Sequence, residues 1–206
     1  MNDQSNVAEL WLERRSPESA GEGASPQWLA SAAGACVFLH GDGVSWAQRS
    51  GLDANLLICS ASWQRRFGQQ QPASGTLGSL MVFWARALLA ERMYSSAGQS
   101  DVRKGDRSLP WLLRYRGDES SLARREALEL VMAGASLDLK LALVLERPAW
   151  SSFSEDDWQS WKQLTDHQLA DLYCRARPDD SLPPGITRLS SDLLDRHWSF
   201  HRSLGI

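Results

Sequence analysis

The chain has 206 residues, 43% of them hydrophobic, with a net charge of −3; this suits one large domain or two small ones and gives no electrostatic footprint for nucleic acid. No apolar stretch approaches the ~20 residues of a membrane span, and the opening MNDQSNVAELWLERRSPESAG has neither the basic start nor the apolar run of a secretory signal. Three widely spaced cysteines, Cys36, Cys59 and Cys174, contain no CxxC pair, which points to free thiols in a reducing cytoplasm and argues against a disulfide framework or a structural zinc site.

The alternation in VAELWLER (7–14) predicts a first strand. After a Ser-, Gly- and Glu-rich loop, Ser25 and Pro26 read as N-cap and N1 of a short helix, PQWLASAAG. ACVFLH (35–40) is an apolar strand ended by the turn GDG, and NLLICS (55–60) is the next strand. Leu77, Leu80, Met81, Trp84, Ala87 and Leu88 follow helical spacing and predict an amphipathic helix over 76–92. Residues 95–108 are small, polar and aperiodic, and read as a linker.

Beyond the linker the same grammar restarts. PWLLRYR (110–116) is a strand, 120–137 a helix, and KLALVLE (140–146) an apolar strand of the kind buried on both faces. SEDDWQSWKQL opens with a Ser154/Asp157 capping box. QLADLYC (168–174) is a strand ending in cysteine, GITRL a short strand, and SSDLLDRHWSFHRSL (190–204) a closing helix capped by Ser190 or Ser191. The order β-α-β-α-β-(β)-α thus occurs twice, which implies an α/β fold of two tandem domains, each a mainly parallel sheet flanked by helices. Ligands and reactive groups in such sheets gather beyond the carboxyl ends of strands, and Cys59 and Cys174 both fall there, in the third strand of each repeat.

VFLHGDGVSW, then LLICSASWQRRFG, then TLGSLMVFWARALLAER resemble successive segments of the DsrE/TusD proteins, small cytoplasmic sulfur-relay subunits; the second half, through LADLYCRARPDDSLPPGITRLSSDLLDRHW, resembles their DsrF/TusC companions. The resemblance implies a fusion: residues 1–95 as the DsrE/TusD-like domain, 96–108 as linker and 109–206 as the DsrF/TusC-like domain. It also implies that Cys59 carries a persulfide between a sulfur-donor and a sulfur-acceptor protein, in tRNA thiolation or sulfur oxidation. A further implication is homo-oligomers or hetero-oligomers with related subunits; no cofactor, direct nucleic-acid partner or membrane partner is expected. Where the family places a glycine turn, the second repeat has ERPAW (146–150).

A sulfur carrier needs an accessible thiolate. At a strand end Cys59 meets the backbone N–H groups of the following segment, whose positive end favours a thiolate, and Arg65 and Arg66 are candidate thiolate stabilisers. Cys174, flanked by Tyr173 and Arg175, is the second candidate, whereas Cys36 opens a central strand and reads as core. His197 and His201 share a helix face but lack a third ligand, HGDGV lacks a phosphate-binding signature, and Asp156/Asp157 and Asp179/Asp180 read as a helix start and a loop. Trp158 and Trp161 read as packing or interface residues. Two rivals to sulfur relay stand beside it: a non-catalytic assembly or binding subunit that retains the fold, and a small-molecule-binding α/β protein.

Overall fold

The computed structural model describes residues 8–19, 26–30, 35–52, 55–96, 101–102, 110–117, 120–184, 186–189 and 202–206. The chain divides into two compact units, Met1–Ala97 and Gly98–Ile206.

In the first unit, β1 (Glu9–Glu13), β2 (Cys36–Leu39), β3 (Asn55–Cys59), β4 (Thr76–Gly78) and β5 (Arg92–Ser95) form a sheet of order β4-β3-β2-β1-β5. Every pairing is parallel. A 3-10 turn, Gln27–Ala30, follows β1, and a 3-10 segment, Gly41–Gln48, follows β2. Helix α1 (Ser60–Phe67) connects β3 to β4, and α2 (Leu80–Leu89), capped by the Ser79 side chain on the Val82 amide, connects β4 to β5. Because paired residues share a face, Leu10, Leu12, Cys36, Phe38, Leu57 and Cys59 point to one side. That side carries α2, whose Phe83 packs on Phe38 at 5.0 Å.

The second unit contains β6 (Asp101–Val102), β7 (Trp111–Tyr115), α3 (Ser121–Ala135), β8 (Leu141–Leu145), α4 (Arg147–Ser151), α5 (Glu155–Asp166), β9 (Asp171–Arg175), β10 (Thr187–Leu189) and β11 (Arg202–Gly205). Its sheet runs β10-β9-β8-β7-β11-β6, parallel except for the antiparallel edge strand β6. All five residues of β8 are buried, as its unbroken apolar sequence requires. The capping box of Ser154 and Asp157 starts α5, and Trp161 of that helix stacks on Tyr115 at 5.1 Å.

The duplication extends to hydrogen-bond register. Glu13 pairs with Leu39 as Tyr115 pairs with Leu145, and Ile58 and Leu77 occupy the places of Cys174 and Arg188. After the fifth strand of each set, the Ser96 amide donates to the Leu12 carbonyl at 3.0 Å and the Ile206 amide to the Arg114 carbonyl at 2.9 Å.

Several sequence expectations are corrected. The periodic stretch 76–92 is three elements, because β4 precedes Ser79 and β5 begins at Arg92. The segment read as a linker contributes β6. The end of the predicted closing helix is strand β11; Leu204 and Ile206, two residues apart, share a face only in a strand, and pairing with β7 and β6 holds the segment extended. The rest of that helix, with His197 and His201, lies outside the described residues, as does the Ser25 cap. The predicted helix after β1 is a single 3-10 turn within those residues, and the GDG turn is the start of a longer 3-10 segment. No helix among the described residues is long and apolar enough to cross a membrane.

Candidate functional site

Cys59 stands where the sequence places it, at the carboxyl end of β3 and directly before α1. Its side chain, however, is only 1% exposed. The expectation of an accessible thiol is therefore corrected. In register with Gly78, Cys59 projects to the face covered by α2, and its sulfur makes no capping bond to α1. Arg66 engages Asp42 through Nε at 3.1 Å and Nη2 at 2.8 Å, and donates from Nη1 to the Ser62 carbonyl at 3.2 Å. Buried Ser62 accepts the Gly41 amide at 3.2 Å. These bonds tie α1 to the segment after β2. Arg65 is exposed on the same helix.

Cys174 is fully buried, and burial pushes its thiol up to about 12. It stands one residue short of the Cys59 position: the register matches Cys59 with Arg175 and Cys174 with Ile58. A shift of one residue reverses the face, so the two cysteines point to opposite sides of their respective sheets. Cys36 is core, as expected; burial raises its thiol pKa, opposed by the Arg86 guanidinium, whose Nη1 lies 3.0 Å from the sulfur.

Polar side chains of the protein itself occupy both sets of strand ends. In the first unit Glu13, Arg14 and His40 are buried there, with Glu13 accepting from the Trp28 indole at 3.2 Å and the Arg15 amide at 2.9 Å. In the second, Glu146 bridges Arg114, at 2.7 Å, and Arg175, at 3.3 Å. The Arg175 position that replaces Cys59 is thus committed to an ion pair.

One open feature of the second unit lies beside α5. A groove of about 760 Å³ runs between that helix and residues 181–184 and 186. Trp150, Phe153, Trp158, Leu182, Pro183 and Ile186 supply its apolar lining, while Glu155, Lys162 and Asp166 supply charge. Glu155, Trp158, Gln159, Lys162 and Asp166 form one stripe of α5 by their i, i+3, i+4 spacing. Trp161 turns the other way, into the core at 1% exposure. Sequence reasoning singled out Trp158 and Trp161 but missed the groove. The available signal was the β9–β10 connection, ARPDDSLPPGI, which lacks the helical apolar spacing of ASWQRRF after Cys59. Asp156/Asp157 start a helix and Asp179/Asp180 lie in a loop, as expected.

Among the described residues no group of three or more His, Cys, Asp or Glu side chains could hold a metal ion. No protein-family model, curated protein or solved structure matches the chain.

Proposed function

We propose that this chain is a non-catalytic binding protein, a duplicated α/β scaffold that holds a protein partner. The observation that carries this reading is the burial of the best-placed thiol. Cys59 is 1% exposed, on the sheet face that carries α2, and a sulfur carrier needs a thiol that a partner's sulfur can approach in line. Cys174 is covered as well, and its thiol stays protonated across the physiological range. The groove beside α5, by contrast, presents half-exposed Phe153, Trp158 and Pro183 among polar and charged side chains, a mixture found at recognition surfaces.

Sulfur relay is the second reading. It is favoured by one observation, the place of Cys59 at a carboxyl strand end heading a helix, and it requires the packing that buries that thiol to open. The two readings part in one experiment. The native chain is incubated with a cysteine desulfurase and free cysteine, then weighed intact and after digestion. The binding reading expects no gain of a sulfur atom, and iodoacetamide labelling of all three cysteines only in denaturant. A persulfide on Cys59 of the folded chain would establish relay instead.

A further inference from the structure

We infer that the groove of the second unit is the seat of an amphipathic helix from a partner protein, basic at both ends and apolar along its middle. The inference rests on the binding reading above and names the partner's chemistry. Its first support is the internal repeat. In the first unit the β3–β4 crossover, residues 60–75, contains α1, which buries Ser62 and Trp63 and is bonded to the segment after β2. In the second unit the strands keep the same register, yet the β9–β10 crossover, residues 176–186, contains no helix among the described residues. The groove opens beside this crossover.

Both features lie on the same side of their sheets. A side chain at Gly75 in the first crossover would meet Leu56 and Ile58. In the second unit the matching face carries Tyr115, on which Trp161 of α5 stacks, and Arg188, which donates to the carbonyls of Pro178 and Asp180 in the crossover. One repeat thus fills with its own helix the flank that the other leaves as a groove.

The second support is charge and length. The α5 stripe places Glu155 at one end of the groove and Asp166 at the other, about 16 Å apart at 1.5 Å per residue. Between them lie Trp158, Gln159 and Lys162, facing Leu182, Pro183 and Ile186. A partner helix of about three turns spans this distance. Cations at its two termini meet Glu155 and Asp166, and apolar side chains at i, i+3, i+4 and i+7 meet the aromatic lining.

The test uses the full chain and a fluorescein-labelled, stapled helix of about twelve residues. Its face carries Trp and Leu at that spacing, and Arg stands at both ends. Fluorescence anisotropy is expected to show saturable binding that weakens about tenfold or more in Trp158→Ala and in Gln159→Trp, which blocks the groove from an exposed position. In Glu155→Lys/Asp166→Lys the preference is expected to switch to a peptide with Glu at both ends, a reversal that unfolding does not produce. Absence of binding, binding indifferent to these variants, or tighter binding of an unstapled proline-rich peptide would overturn the inference. Sulfur loading of Cys59 together with groove binding would remove the non-catalytic reading alone; unloaded thiols with no groove binding would remove the helix assignment alone.

Discussion

A thiol's chemistry depends on a fraction of a strand's pleat, and the cysteines here show it. Cys59 and Cys174 sit one position apart when the two repeats are matched, on opposite faces of their own sheets, and each is covered. Cys59→Ser is expected to lower stability by about 1–3 kcal/mol, because it buries a hydroxyl with no sulfur-sized apolar fit; urea unfolding measures it, and an unchanged midpoint would place the side chain in water. The two thiols with raised pKa, Cys36 and Cys174, make stability fall in alkali. Between the unfolded thiol value of about 8.5 and the raised folded value, the native state keeps protons that the unfolded state has released. Stability from these groups is therefore complete below about pH 8.5 and then declines, for Cys174 approaching roughly 1.4 kcal/mol per pH unit towards its folded value of about 12. Urea midpoints at about pH 8 and 10 should show the decline, and Cys174→Ala should make it shallower; an unchanged slope would count against Cys174 as a source.

At the scale of elements, the two units solve one packing problem with glycines on opposite sides. In the first, Gly43 donates to the Arg14 carbonyl at 3.0 Å, and an added Cβ would lie 2.3 Å from the Glu13 carbonyl oxygen. In the second, the glycine is Gly117 after β7, at φ 65°, where a Cβ would lie 2.4 Å from that of Ala149 in α4. Gly43→Ala is expected to cost about 2–3 kcal/mol, since only backbone can give way. Gly117→Ala should cost a similar amount, roughly 2–3 kcal/mol, and Ala149→Gly should restore part of it; strict additivity in that double-mutant cycle would deny the contact. The Ser154 cap is a smaller matter: Ser154→Ala should remove about 1 kcal/mol by freeing the Asp157 amide, read from the thermal midpoint. Legibility followed the same lines. Helices α3 and α5 announced themselves through periodicity and caps, whereas β4 and β5 were hidden in the 76–92 pattern because three-residue and four-residue strands are too short to display a period of two.

In the whole molecule, the described strands of each sheet come from a single unit, and the last of them in sequence, β11, is an interior one between β7 and β6. Deleting residues 202–206 should strip hydrogen-exchange protection from the β7 and β8 amides and leave that of β2 and β3 in place; uniform loss across both units would show that they unfold as one. Composition and alternating pattern were enough for an α/β chain built twice, because apolar runs of strand length separated by amphipathic segments admit few other folds. They were also enough for the thiol's address at a strand end. Tertiary structure decided whether that thiol faces solvent, which crossover keeps its helix, and where a surface stays open. Those properties belong to the face a side chain takes and to what packs over it, and a one-residue offset, invisible as hydrophobicity, reverses the first and thereby selects the second.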